Sequence, residues 1–164
     1  MLNLKIGTYL NLILIISLFS LTTAYYIEYI LGHQPCNLCL IERIPYGLGV
    51  ILIITNLILK KNEKFLILLL TLIFIFSFAI SIYHFGIEQN FFQESAICGL
   101  KNTVEISSKE ELLKQLSEKT ISCKDVTFRV FGFSLTTINI ILSIFLIFLL
   151  IKMFLNYEKF KKQS

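Results

Sequence analysis

The chain has 164 residues, of which 55% are hydrophobic and only 16% are charged, and its mean hydropathy is +0.76. This composition excludes an ordinary soluble domain, whose surface needs a larger share of polar residues. The net charge of +4 arises from basic residues that flank apolar stretches rather than from one basic face, so we expect a membrane protein that binds the lipid bilayer and no nucleic acid.

Four stretches of the sequence contain no charged residue, at 6–27, 44–59, 65–87 and 130–151. A helix needs about 20 residues to cross the hydrocarbon core, so the second stretch must borrow residues from the segment before it. We therefore predict an all-α bundle of four transmembrane helices, at 6–28, 39–59, 65–85 and 131–151, in a single domain of residues 1–164. The first stretch is longer than the apolar part of a signal peptide and lacks a clear Ala-x-Ala site, which favours a retained helix.

The basic residues predict how the four helices are oriented. Both termini share a side with the linker at 60–64, and this side carries eight basic residues and two acidic ones. The positive-inside rule places that side in the cytoplasm and the loops at 29–38 and 86–130 outside. In the second loop, Ser108 and Glu111 form a capping box followed by leucines, which predicts a short amphipathic helix that rests on the membrane surface.

All four cysteines fall in the predicted external loops, where an even number of thiols predicts disulfides. Cys36 and Cys39 form a Cys-x-x-Cys motif, which closes a small and readily exchanged disulfide. Cys98 and Cys123 form either a permanent structural disulfide in the second loop or a second redox pair. We expect no metal site, because the second pair lacks zinc-ligand spacing and external thiols oxidise.

The segment GHQPCNLCLIERIPYG, from Gly32 to Gly47, places the Cys-x-x-Cys motif at the start of the second helix. A helix N-terminus favours a thiolate, and Arg43 lies one turn beyond Cys39 on the same face, so both are expected to stabilise a Cys39 thiolate. The chain contains thirteen lysines and two arginines, which favours a specific role for Arg43, although an interface anchor also fits its position.

The motif lies at the lipid boundary, where a dithiol can exchange electrons with an acceptor dissolved in the bilayer. A structural staple would gain nothing from this position, and the natural lipid-soluble acceptor is a quinone. His84 ends the third helix at the same side, where it fits either a ligand of this site or a hydrogen-bonded interface residue.

Together these segments resemble the DsbB family of bacterial disulfide bond formation proteins over nearly the whole chain. The resemblance rests on four spans, on PCNLCLIERIPY and YHFGIE, and on Cys98 followed by CKDVTFRVFGFSLTTIN. It implies a thiol:quinone oxidoreductase of the bacterial inner membrane that reoxidises a periplasmic DsbA-like dithiol oxidase, with ubiquinone or menaquinone as cofactor.

The resemblance also implies roles for individual residues. Cys36 and Cys39 would be the quinone-linked pair, Cys98 the sulfur that the reduced partner attacks, and Cys123 the thiol that attacks Cys36. Three further residues would lie near the quinone: Arg43, His84 and Glu42. The sequence lacks the tryptophans that many relatives have, and the corresponding regions contain Phe91, Phe92, Thr137 and Ile138.

Two other classes of protein share parts of this pattern. A tetraspan interaction protein would use all four cysteines as permanent staples and would bind no quinone. An oxidase similar to vitamin K epoxide reductase would also combine a membrane Cys-x-x-Cys with an external cysteine pair. In that family the motif lies late in the bundle, whereas here it follows the first span, which favours the DsbB family.

Overall fold

The computed structural model describes residues 6–59, 62–94, 98, 122–124, 128–130 and 132–158. Four helices dominate these residues: α1 (Ile6–Tyr29), α2 (Asn37–Leu59), α3 (Glu63–Glu88) and α4 (Leu135–Leu155). Each is long and apolar enough to cross a membrane, which confirms the predicted four-helix membrane fold. The amphipathic helix predicted around Ser108 and Glu111 lies outside the described residues.

The four helices enclose one apolar core. α3 packs against both α2 and α4, α2 also packs against α1, and the contact between α1 and α4 is sparse. Each helix contributes a side chain that is fully excluded from the surface, and these are Ile13, Ile53, Phe74 and Leu146. Large apolar side chains also cover the outer faces, as expected of helices whose solvent is lipid.

Three helices are longer than the sequence predicts, and α1 exceeds its predicted range by the single residue Tyr29. α2 begins at Asn37 rather than 39, because the Cys36 sulfur accepts the Cys39 N–H at 3.3 Å and the Cys36 carbonyl accepts the Leu40 N–H at 3.2 Å. α3 spans Glu63–Glu88 rather than 65–85. Charged residues in its terminal turns do not end the helix, so charge alone underestimates its length.

The fourth helix begins later than predicted, at Leu135 rather than 131. Before it, strand β1 (Arg129–Val130) pairs antiparallel with β2 (Phe133–Ser134). Gly132 has a φ of 87°, a left-handed conformation that glycine adopts without a steric penalty. Ser134 then caps the helix by accepting the Thr137 N–H at 3.2 Å. The apolar run therefore contains a turn that hydropathy does not reveal.

Candidate functional site

The Cys-x-x-Cys motif lies where the loop after α1 enters α2. Cys36 is the N-cap residue and Cys39 lies in the first helical turn. Their sulfurs are free thiols 2.7 Å apart, so little movement is needed to close a disulfide. Cys36 is buried and Cys39 is half-buried, so the two thiols face different surroundings.

The surroundings of Cys36 favour its thiolate. The pKa of Cys36 is lowered from 9.0 to about 5, because Cys39 hydrogen-bonds to its sulfur and His84 adds a second hydrogen bond and positive charge, while burial acts in the opposite direction. The sequence predicts that the helix N-terminus favours a thiolate at Cys39. The structure corrects this expectation, because the first-turn N–H points at the Cys36 sulfur.

His84 connects the dithiol to a buried carboxylate. Its ring is 2% exposed, and its Nε2 lies 3.5 Å from the Cys36 sulfur. On the other side of the ring, Nδ1 lies 2.9 Å from Glu42 Oε1. An ionised Glu42 has no proton to donate, so with Glu42 ionised Nδ1 donates to the carboxylate and Nε2 faces Cys36. A proton can therefore pass between the Cys36 sulfur and Nε2.

Glu42 is held by a network that the sequence analysis did not predict. Asn139 Nδ2 donates to Glu42 Oε2 at 2.9 Å and to the Ser81 hydroxyl at 2.8 Å, and the Tyr46 hydroxyl donates to Asn139 Oδ1. These bonds join α2, α3 and α4. The asparagine within a largely apolar span is the sequence signal that could have identified this network, because polar residues in membrane helices usually pair across helices.

Arg43 points away from Glu42 and towards α1. It forms an ion pair with Glu28, and its guanidinium lies 5.0 Å from the centroid of the Tyr25 ring. Glu42 and Arg43 therefore have different partners although they are adjacent in sequence, because consecutive helical residues point about 100° apart. Glu28 is an acid at the end of the first apolar segment, on the same side as Arg43, and that position was the available signal.

The second cysteine pair is a disulfide that packs against the first. Cys98 and Cys123 are bonded, with Cα atoms 5.8 Å apart. Both are buried in one cluster with Cys36, Leu38 and Ile87. The structure thus brings together, at one end of the bundle, the four cysteines that the sequence analysis selected as site residues.

A cavity of about 480 Å³ lies on the opposite side of the dithiol, between α1, α2 and α4. This volume is typical of sites for small molecules. Its walls are mainly apolar, with Phe19 and Ile138 among them, and its polar groups include Cys39, Arg43 and Glu42. The apolar wall fits the ring of a quinone, and the cationic donor fits its carbonyl oxygens. The thiol lies where it could contact such a ring.

The residues that the resemblance places near the quinone differ in how they meet this cavity. His84 is not among its lining residues and meets it through Glu42 and Thr136, which both line the cavity and contact the His84 ring. The aromatic side chains that line the cavity include Phe19, Tyr46 and Phe128, whereas Phe92 stacks on Tyr83.

The same side chains also form a potential set of metal ligands. Within the described residues, the ligand atoms of Cys36, Cys39 and His84 all lie within 4.8 Å of one another. Beside them, Glu88 Oε1 lies 3.9 Å from His84 Nε2. The site thus combines a redox-capable dithiol, a buried histidine and two acidic side chains.

Comparisons with known proteins agree with this arrangement. The family described as Disulfide bond formation protein DsbB matches residues 7–153. The chain is also 35% identical over 156 residues to Uncharacterized protein RP370 of Rickettsia prowazekii (strain Madrid E), covering 93% of this chain and 90% of that relative. No solved structure matches the chain. Because the family match spans most of the sequence, including all four cysteines, this multi-pass membrane protein belongs to the DsbB family of disulfide bond formation proteins.

Proposed function

We propose that this protein is a membrane thiol:quinone oxidoreductase that reoxidises a periplasmic DsbA-like dithiol oxidase and passes the electrons to ubiquinone or menaquinone. The observation that carries the proposal is the position of the Cys36–Cys39 pair. Its Cys36 side packs against the Cys98–Cys123 disulfide, and its Cys39 side faces the cavity. Electrons that enter at the disulfide thus have a short route to the cavity.

The first half of the reaction uses the Cys98–Cys123 disulfide. A thiolate of the reduced partner attacks Cys98, so that a mixed disulfide forms and Cys123 leaves as a thiolate. Cys123 then attacks Cys36 of the closed inner pair, which breaks the Cys36–Cys39 bond and frees the Cys39 thiolate. The partner's second thiol displaces Cys98, and Cys98 displaces Cys36 by attacking Cys123. The partner leaves as a disulfide, the outer disulfide is restored, and the inner pair is a dithiol.

The second half takes place at the cavity. Cys36 and Cys39 would return to a disulfide there, and a quinone held beside Cys39 and Arg43 would supply the acceptor for the two electrons and two protons that the dithiol gives up. Cys39 is the inner thiol that lines the cavity, and Arg43 supplies fixed positive charge and hydrogen-bond donors there. Glu28 and Tyr25 hold the guanidinium in place.

The proton that Cys36 gives up to its surroundings must reach the cavity during this second half. His84 Nε2 faces the Cys36 sulfur, and Nδ1 faces Glu42, which reaches the cavity. The His84–Glu42 pair therefore offers a path for one proton from the dithiol to the cavity. Asn139 and Tyr46 keep the carboxylate in position without contacting the cysteines.

We also propose the bacterial inner membrane as the location, with cytoplasmic termini and periplasmic cysteine loops. The support is the lysine distribution, because eight of the ten charged residues on the side of the termini are basic. The up-and-down order of the four helices supports one side for all four cysteines, since the two loops that contain them lie at the same end.

A coupled assay tests the proposed function. The purified protein is mixed with a reduced DsbA-like partner and a short-chain quinone, and the loss of quinone absorbance is followed alongside partner thiols. One quinone reduced per partner disulfide formed, with no reaction in Cys39→Ala, supports the oxidoreductase. Cysteines that stay oxidised against the reduced partner, with no turnover of either quinone type, would instead indicate a stapled interaction protein.

A further inference from the structure

We propose that the reduced form of the inner pair binds one thiophilic divalent cation, of the Zn²⁺ and Cd²⁺ class, through Cys36, Cys39 and His84. Thiolates and imidazole are the ligands that these ions prefer, and the ligand atoms of the three side chains already lie within 4.8 Å of one another. This site differs from a zinc site made of all four cysteines, because Cys98 and Cys123 remain bonded to each other.

The distances require only a small adjustment. Zinc lies about 2.3 Å from sulfur and about 2.0 Å from imidazole nitrogen, so tetrahedral ligands lie between about 3.3 and 3.8 Å apart. The Cys36 sulfur already lies 3.5 Å from His84 Nε2. The two sulfurs are 2.7 Å apart and must separate by about 1 Å. Cys39 is half-buried at the cavity and has room for this movement.

The histidine has the second contact that metal-binding histidines usually have. Its Nε2 faces the sulfurs, while Nδ1 lies 2.9 Å from Glu42 Oε1. A carboxylate at the far ring nitrogen fixes the tautomer and orients the metal-binding nitrogen. Asn139 holds the other oxygen of the same carboxylate, so the orienting group is itself fixed.

A second acid beside the site lacks a complete set of partners. The Glu88 side chain is 6% exposed, and its Oε1 lies 3.9 Å from His84 Nε2. Its Oε2 is buried and has no hydrogen-bond partner among the described residues. Burying an unpaired carboxylate oxygen is costly, and a nearby cation would offset that cost. Glu88 thus adds negative charge where the cation would bind.

Binding would exclude the redox reaction. Each thiol loses its proton to solvent when the cation binds, and neither sulfur can then form a disulfide until the cation leaves. The cation would also occupy the cavity side of Cys39. Binding itself requires the reduced cysteine pair and His84 and does not depend on the proposed function, whereas its effect as an inhibitor rests on that function.

Cadmium titration of the full chain in detergent tests the site without any quinone or partner. The parent protein has Cys98→Ser and Cys123→Ser, so that only the inner pair contributes thiols, and wild-type protein is titrated in parallel. We expect one Cd²⁺ per reduced chain by thiolate-to-cadmium absorbance and none per oxidised chain. Glu42→Gln should weaken binding by about 10-fold or more, as losses of such orienting carboxylates usually do.

The controls separate this site from simple chelation by two thiols. Glu63→Gln removes an equal charge in the first turn of α3, at the other end of the bundle from His84, and should leave cadmium affinity unchanged. His84→Gln should weaken binding at least as much as Glu42→Gln. Cadmium-113 NMR of the parent gives a second readout, in which coupling to the His84 ring protons is expected. Cadmium affinity that is the same in the parent, His84→Gln and Glu42→Gln, or a spectrum with sulfur ligands alone, would overturn the proposal.

Discussion

Replacing Asn139 with leucine tests the buried network most sharply, because this amide joins three helices. It donates to Glu42 at 2.9 Å and to Ser81 at 2.8 Å, and it accepts the Tyr46 hydroxyl. Leucine has the same branched arrangement of side-chain heavy atoms and removes all three bonds, so Glu42 Oε2 and the Tyr46 hydroxyl lose their shared partner.

The expected cost follows from the number of bonds. Hydrogen bonds between membrane helices contribute about 0.6 kcal/mol on average and up to about 1.7 kcal/mol. Three such bonds give a loss of about 2 kcal/mol in the free energy of unfolding, with a larger share from the bond to the carboxylate. Because Asn139 does not contact the cysteines, any fall in turnover should come through Glu42, as slower proton delivery rather than weaker binding of the partner.

Reversible unfolding of the purified protein in mixed detergent micelles measures this loss. Asn156→Leu is the matched control, because Asn156 lies at the other end of α4 and, among the residues that the structure describes, its side chain bonds to the Lys152 carbonyl of its own helix. If Asn139→Leu lowers the free energy of unfolding no more than Asn156→Leu does, the network does not stabilise the bundle.

Three further predictions concern other parts of the molecule. Glu28→Gln removes the charge that holds Arg43, so kcat/KM for quinone should fall about 10-fold, equivalent to about 1.4 kcal/mol. Steady-state kinetics measures this fall, with Glu63→Gln as a distant control. Equal effects of the two substitutions would contradict the prediction. The double variant Cys98→Ala and Cys123→Ala should reduce quinone with dithiothreitol but not oxidise the protein partner; partner oxidation at the wild-type rate would show that the outer disulfide is not used. The Ser17 hydroxyl is buried without a hydrogen-bond partner among the described residues, so Ser17→Ala should raise the free energy of unfolding by about 1 kcal/mol. Unfolding in detergent measures this change. A lower free energy of unfolding in Ser17→Ala would mean that the hydroxyl has a partner.

The helical content and the number of spans could be predicted because lipid imposes a simple rule on sequence. Each span must be apolar and long enough to cross the hydrocarbon core. The four uncharged stretches are therefore recognisable from composition, at 6–27, 44–59, 65–87 and 130–151. Helix ends are harder, because they depend on local contacts. The start of α2 follows from a sulfur that caps the helix, and the start of α4 follows from a turn at Gly132.

Part of the site was also predictable from the sequence. The four cysteines and Arg43 could be selected by residue type, spacing and position at the membrane edge. Their partners could not, because pairing across helices depends on how each helix is rotated in the bundle. Glu42 and Arg43 are adjacent in sequence, yet the first pairs with His84 and the second with Glu28.

The proposed reaction requires the two cysteine pairs to exchange electrons within one buried cluster. The most direct test is to quench the protein with acid during turnover with reduced partner and to search its peptides by mass spectrometry for a bond between Cys36 and Cys123. We predict that this linkage forms transiently in the wild type. In Cys39→Ala, the Cys36 thiolate attacks Cys123 of the outer disulfide and Cys98 leaves as a thiolate, so the linkage should accumulate because no Cys39 thiol can break it. Turnover that proceeds at the full rate while no Cys36–Cys123 linkage is detected in either protein would contradict this route of electron transfer.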